Sequence, residues 1–302
     1  MNIGAIDIGG TTIKTAIATE HGELRTLLSY PTEAMSGGDH VVSTVLSICK
    51  DMQLKEDIQG IAISTAGQVD AEQGTILFAT DNIPGYTGME VKKIVSSALQ
   101  LPVAVENDVN CTALGEQWQG AARGIDDFLT LALGTGIGGA LFLNGELYRG
   151  ATSSGGELGH MILYPKGKLC TCGQNGCYEQ YASSAALVRK AEQQFGTLSL
   201  PDFFVKVRQG DAAAADVFEE WIDDLTTGLG SLIQVLNPAA VVIGGGISAQ
   251  GRFLKEAIRP ALDSKLMPNH KEGLQILLAE KGNDANLLGA VRHFLNRYPG
   301  GC

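Results

Sequence analysis

The run Ile3-Gly4-Ala5-Ile6-Asp7-Ile8-Gly9-Gly10-Thr11-Thr12-Ile13-Lys14 carries the first decision about the fold. Ile3 to Ile8 is apolar enough for a buried strand, Gly9 to Thr12 form a turn, and a second strand is expected from Ile13 to Thr19. Small residues at this turn, Gly9, Gly10, Thr11 and Thr12, let backbone N–H groups and hydroxyls face phosphate oxygens. Asp7, closing the first strand, is placed to hold Mg²⁺ directly or through water, and Lys14 could approach the phosphates. An ordinary hairpin with a strand-end carboxylate would read the same way in this segment alone.

Working outward, a third strand is expected over Glu23 to Tyr30, a helix from about Asp39 to Met52, and strands at Gly60 to Ser64 and Gly74 to Ala79. A helix over 89–100 precedes a strand at Val103 to Val105, which runs into Glu106-Asn107-Asp108 and a helix ending near Gln119. Phe128 to Leu133 and Ile137 to Leu143 read as strands around a second Gly/Thr turn, Gly134-Thr135-Gly136. Helical periodicity dominates Ser183 to Asn237. Ala239 to Ile243 is a buried strand ending in Gly244-Gly245-Gly246, and helices are expected to fill the remainder.

The second Gly-rich turn is not a dinucleotide fingerprint, because Asn144-Gly145 marks a hairpin and the element after the glycines is a strand instead of a helix. Two Gly/Thr hairpins, one opening each half, suggest an internal duplication and suit a nucleotide held by two domains. Gly245 could lie flat against an adenine or ribose, or serve only as a strand-to-helix turn.

With 302 residues the chain is long enough for two domains, and 44% hydrophobic against 18% charged residues excludes a disordered chain. A net charge of −11 without a basic run makes nucleic acid and membrane surfaces poor partners. No apolar run reaches the roughly 18–20 residues of a membrane span, and no leader pattern precedes the first strand, so a cytoplasmic protein is expected.

Chemistry concentrates in two places. Phosphoryl transfer to an alcohol needs a carboxylate to take the hydroxyl proton and a neighbour to orient the acceptor, roles that fit Asp108 and Asn107. Asp108 could equally be a helix N-cap. His160, Cys170, Cys172 and Cys177, spaced His-x9-Cys-x-Cys-x4-Cys, form a Cys3His set suited to structural Zn²⁺, with Gly173 and Gly176 supplying turns. Cys49 and Cys111 stand singly and Cys302 ends the chain. Glu157 and Glu179 flank the cluster and could accept from sugar hydroxyls, or be solvated surface groups.

Taken in order, Asp7-x-Gly-Gly-Thr11, Glu106-Asn107-Asp108, Gly134-Thr-Gly-x-Gly-Gly139, Glu157-x-Gly-His160 and Cys170-x-Cys-Gly-x-x-Gly-Cys177-x-Glu179 resemble the ROK family of bacterial sugar kinases and repressors. The resemblance runs on to Gly282-Asn-Asp-Ala-Asn-Leu-Leu-Gly289, nearly the whole chain. It implies an α/β, actin-like ATPase (ribonuclease H-like) fold of two domains with a nucleotide and sugar cleft. Residues 1–120 plus a C-terminal helix over 289–302 would form one domain, and 121–288 the other, with a zinc-binding segment at 157–180.

The resemblance also implies ATP and Mg²⁺ as cofactors and Asp108 as catalytic base. Asn107, Glu157, His160 and Glu179 would be sugar contacts, His160 serving zinc as well. Gly67 would lie near the sugar, Gly9, Thr11, Gly134, Thr135 and Gly136 at the phosphates, and Gly245 near the nucleoside. The expected activity is phosphorylation of a hexose at its 6-hydroxyl by a homodimeric enzyme. Glucokinase-type members commonly carry Pro-Gly where this chain has Ala66-Gly67, so N-acetylmannosamine and β-glucosides stand beside glucose as candidate substrates. A sugar-responsive repressor would need a DNA-binding helix-turn-helix before Asp7, which is not expected here.

Overall fold

The structure, a computed structural model, describes residues 1–300; Cys302 lies outside the described residues. Two compact units are present, one made of Met1–Gly124, Leu147–Gly155 and the chain from Glu280 onward, the other of Ile125–Glu146 and Gly156–Ala279.

In the first unit, β1 (Asn2–Ile8), β2 (Thr12–Thr19) and β3 (Leu24–Pro31) form the expected antiparallel meander. It is followed by α1 (Gly38–Lys55), β4 (Gly60–Thr65), a small hairpin of β5 (Gln68–Asp70) and β6 (Thr75–Phe78), α2 (Val91–Leu99), β7 (Val103–Asn107) and α3 (Asp108–Gln119). The five-stranded sheet runs β3-β2-β1-β4-β7, with β1, β4 and β7 paired in parallel. Side chains alternate across it. Ile6, Ile8, Ile61, Ile63, Val103 and Val105 pack with Val41, Val45, Val91 and Val95 of α1 and α2, whereas Ile3, Ala5, Ala62 and Ala104 face the other way.

The second unit repeats this order. β8 (Phe128–Leu133) and β9 (Ile137–Leu143) are an antiparallel pair, β10 (Glu146–Tyr148) joins its edge, and α4 (Glu179–Ala182), α5 (Ser184–Phe195), α6 (Leu200–Arg208) and α7 (Ala212–Leu236) precede β11 (Ala240–Gly244). After α8 (Arg252–Asp263) and the short α9 (Pro268–Lys271) comes β12 (Gln275–Leu278), parallel to β11. This strand corrects the expectation that helices fill the C-terminal remainder. A four-residue apolar run has no readable period, and its pairing with β11 decides its state.

The chain then returns to the first unit as α10 (Ala285–Arg297), which starts ahead of the expected boundary at Gly289. Leu287, Ala290, Val291 and Phe294 cover the alanine-rich face of the sheet. The small residues there let α10 lie close to the sheet and to α3. At Gly289 the approach to α3 is so tight that an added Cβ would stand 1.7 Å from the carbonyl oxygen of Cys111. Among the described residues no helix is long and apolar enough to cross a membrane.

In a free helix Gly→Ala gains up to about 1 kcal/mol, but here the methyl has nowhere to go. Gly289→Ala should therefore lose about 1–3 kcal/mol of stability, the usual cost of overpacking, in urea unfolding followed by circular dichroism. A neutral or stabilising result would show that α10 and α3 separate at little cost.

Candidate active site

Asp7 stands at the C-terminal end of β1 and Asp108 directly follows the C-terminal end of β7, where open α/β sheets present functional groups. Asp7 is 5% exposed, and its Oδ1 accepts from Ser64 Oγ at 2.8 Å and Asn286 Nδ2 at 3.1 Å. Lys14 stands opposite it across the β1–β2 pair. Asn286 reaches it from the first turn of α10 and also accepts from Thr112 Oγ1 on α3. The expected strand-end placement of Asp7 is met; Ser64 and Asn286 had no separate signal in the sequence.

The N-cap of α3 is Asn107, not Asp108. Asn107 Oδ1 accepts from Val109 N at 2.9 Å and Asn110 N at 3.0 Å, and Asp108 is the first helical residue. Asn and Asp are equally good caps, so only the backbone path chooses between adjacent residues. The Asn107 amide nitrogen donates to Gly67 O and to Asp108 Oδ1, both at 2.9 Å, so this side chain fixes the carboxylate and the Gly67 turn together. Asp108 Oδ1 also accepts from Val109 N at 2.9 Å.

Burial pushes the Asp108 carboxyl up to about 6, and the negative charge of Asp7 adds to it; the Val109 N–H and the Asn107 amide pull less strongly the other way. Asp7 is likewise raised by burial, against the opposing pull of Ser64, Asn286 and Lys14. Glu106, one residue before Asn107, points to the α10 side of the sheet and is fully buried. Its Oε2 accepts from Arg149 Nε at 2.7 Å and its Oε1 from Asn107 N at 2.8 Å and Asn110 Nδ2 at 3.0 Å. Sequence reading gave Glu106 no partner, because Arg149 lies in the distant segment after β10.

The turn between β1 and β2 is closed by a 3.1 Å bond from Gly9 N to Thr12 O, and Thr32 Oγ1 pins it by donating to Gly9 O at 2.7 Å. Gly10 and Thr11 are exposed at its tip. In the second unit Gly134 and Thr135 are likewise exposed, with Ser184 Oγ holding Leu133 O at 2.9 Å and Ala185 N holding Gly134 O at 3.1 Å. At Gly136 a Cβ would stand 2.2 Å from Glu179 Oε2, so a side chain there would displace that carboxylate. Gly245, exposed in the turn after β11, follows the buried strand as expected.

His160, Cys170, Cys172 and Cys177 come together in the second unit, with one ligand atom from each lying within 4.8 Å of all the others. Cys170 Sγ is 3.6 Å from His160 Nδ1, and Cys172 and Cys177 Sγ are 3.6 Å apart. Ligands of a tetrahedral zinc, with bonds of about 2.0–2.3 Å, stand about 3.5–3.8 Å from one another, so the four residues fit that ion without rearrangement of these pairs. Bridges between Ile162 and Cys177 and between Leu169 and Asn175 fold the loop around the cluster.

The flanking glutamates differ. Glu179 Oε1 accepts from the Cys170 thiol at 3.0 Å and its Oε2 from Ile137 N at 3.3 Å, joining the cluster to the β8–β9 turn. Glu157 is exposed, 4.0 Å from His160 Nε2, so the two ring nitrogens of His160 face different partners.

The family's sequence profile matches residues 3–297, and the chain belongs to the ROK family. It is similar to a glucokinase of Halalkalibacterium halodurans, 33% identical with 94% of this chain and 92% of the relative covered. It is equally similar to a β-glucoside kinase of Listeria monocytogenes, 33% identical with 98% of each chain covered. Among solved structures, a ROK family glucokinase from Streptomyces griseus in complex with glucose and AMPPNP superposes with a TM-score of 0.83 at 32% identity, covering 96% of this chain and 98% of that one. The fold is thus the actin-like ATPase fold in two domains.

A carboxyl raised to about 6 weakens the fold once it ionises. Its folded-state proton affinity exceeds the ordinary value near 4, so its contribution to stability is complete below about pH 4 and is lost as pH rises through about 6. Asp108→Asn, which cannot ionise and can still accept from Val109 N, should melt a few degrees above wild type at pH 8. The difference should vanish at pH 4. Equal melting curves at pH 8 would mean that the Asp108 charge is well solvated.

Proposed function

We propose that this protein is an ATP-dependent sugar kinase that phosphorylates the 6-hydroxyl of a hexose, with Asp108 as general base. The observation that carries the reading is the Asp108 carboxylate held by Asn107 directly after an apolar strand, where burial raises it to about 6, close enough to neutrality to exchange a proton at working pH. Asp108 takes the proton from the hydroxyl, whose oxygen attacks the γ-phosphorus of ATP. The bond from that phosphorus to the ADP oxygen breaks, and ADP leaves.

The remaining assignments follow. Gly9, Gly10, Thr11 and Thr12 of the first unit and Gly134, Thr135 and Gly136 of the second offer backbone N–H groups and hydroxyls to phosphates. Asp7 would hold Mg²⁺, which neutralises phosphate charge when bound, and Lys14 adds positive charge on the same side; Gly245 suits the nucleoside. Glu157, His160 through Nε2, and Glu179 accept from or donate to sugar hydroxyls. Asn107 acts first as the clamp on Asp108 and Gly67, and touching the sugar would exchange its bond to Gly67 O for one to a hydroxyl.

Zn²⁺ on His160 Nδ1, Cys170, Cys172 and Cys177 would be structural. Metal binding removes thiol protons, so Cys170 would no longer donate to Glu179, leaving Oε1 able to accept from the sugar. Purified enzyme should carry about one equivalent of zinc by elemental analysis. Cys172→Ala should lose the metal and weaken sugar binding in calorimetry. A wild type free of metal and fully active would overturn the assignment.

The catalytic test is kinetic. Asp108→Asn should lower kcat at least about a hundredfold while sugar and ATP affinities stay near wild type. In the wild type, kcat/KM should fall on the acid side with an apparent pKa of about 6, as the base takes up its proton. ADP release measured across glucose, mannose, fructose, N-acetylmannosamine, N-acetylglucosamine and cellobiose should rank the substrates by kcat/KM. An Asn variant working at close to the wild-type rate would exclude Asp108 as the base.

A further inference from the structure

The Glu106–Arg149 pair lies outside the roles assigned above. Both residues belong to the first unit, Glu106 on β7 and Arg149 in the Leu147–Gly155 segment. Glu106 has no exposure at all, and a carboxylate so placed must be paired and hydrogen-bonded. Arg149 supplies the pairing at 2.7 Å and extends Nη2 towards His293 Nδ1 of α10 at 3.4 Å. His293 is 4% exposed, and burial, the largest influence on it, lowers it to about 4, so it is neutral and accepts at Nδ1.

Stability alone does not account for such an arrangement. Buried ion pairs cost desolvation, and apolar residues of similar size often hold a fold as well or better. What an apolar pair could not do is hold polar groups, and Glu106 Oε1 holds two: the backbone N–H of Asn107 and the side-chain amide of Asn110. Asn107 in turn grips Asp108 Oδ1 and Gly67 O. The Arg149 segment is itself tied down, since Ser154 Oγ donates to Gln68 Oε1 at 3.1 Å beside the Gly67 turn.

We propose that Glu106 and Arg149 are positioning residues for phosphoryl transfer, a buried ion pair that sets the strand-to-helix corner from which Asp108 acts. The pair touches neither substrate nor Asp108 itself. Arg149 fixes the Glu106 carboxylate, Glu106 fixes Asn107 and Asn110, and Asn107 fixes the base. A misplacement of about 1 Å in such a corner can cost a hundredfold in rate with little change in binding. The inference rests on Asp108 being the base.

The test is a double-mutant cycle on kcat. E106Q keeps the size of the side chain but cannot accept from Arg149 and from Asn107 through two equivalent oxygens. R149K keeps the charge but loses the planar fork that spans Glu106 and His293. Each is made in the wild-type and the D108N enzyme and assayed well below its own melting temperature, with Tm recorded.

In the wild-type background each should lower kcat at least about tenfold with the sugar KM within about threefold. In D108N, where no base remains to be positioned, each should lower kcat less than about twofold further. An equal loss in both backgrounds, or a lowered Tm with wild-type kcat, would overturn the proposal and leave the pair a structural one. Near wild-type turnover by D108N would instead overturn the base reading, and this inference with it.

Discussion

Negative charge crowded at one edge of the first sheet is the constraint around which this unit is built. Asp7 and Glu106 are buried and Asp108 half-buried, and the charges of Asp7 and Asp108 resist ionising together. The structure answers each differently. Glu106 is compensated by a guanidinium. Asp7 has a lysine opposite and two neutral donors on one oxygen. Asp108 is held by an amide and backbone N–H groups, and burial, with the Asp7 charge adding to it, raises it to about 6. A better proton acceptor is thereby made from an ordinary carboxylate, chiefly by its burial.

The last helix adds neutral partners to two of these groups. α10 carries Asn286 to Asp7 and His293 to Arg149, and can do so because the sheet face beneath it is lined with alanines and because Gly289 admits α3 to backbone contact. Packing and electrostatics are coupled here: a helix lying farther from the sheet would leave Asp7 and Arg149 each with one fewer partner. The same close approach explains why a segment at the end of the chain takes part in a site whose first residue is Asp7.

In the second unit the organising element is the ligand cluster. Several apolar residues of its loop, Ile162, Tyr164 and Leu169, stay exposed, and Cys172 is exposed too, so a metal would add cohesion there. Glu179 links this loop to the Gly134–Gly136 turn through Cys170 on one side and Ile137 N on the other. A side chain at Gly136 would push the Glu179 carboxylate away from that turn.

Local features were legible in the sequence. Both Gly/Thr hairpins, the strand bounds at Phe128–Leu133 and Ile137–Leu143, and the four-residue metal set all follow from patterns a few residues long, because period, turn chemistry and ligand spacing are local properties. The combined motifs carried the family and with it the actin-like fold. What tertiary structure decided are the choices for which local chemistry is indifferent. It made Asn107 and not Asp108 the cap, and gave Gln275–Leu278 the state of a strand by pairing it with β11. It set Asn286 against Asp7 across 279 positions and Arg149 against Glu106 across 43. No period or spacing relates such distant residues; α10 packing on a small-residue sheet face brings Asn286 to Asp7, and the return of the segment after β10 brings Arg149 to Glu106.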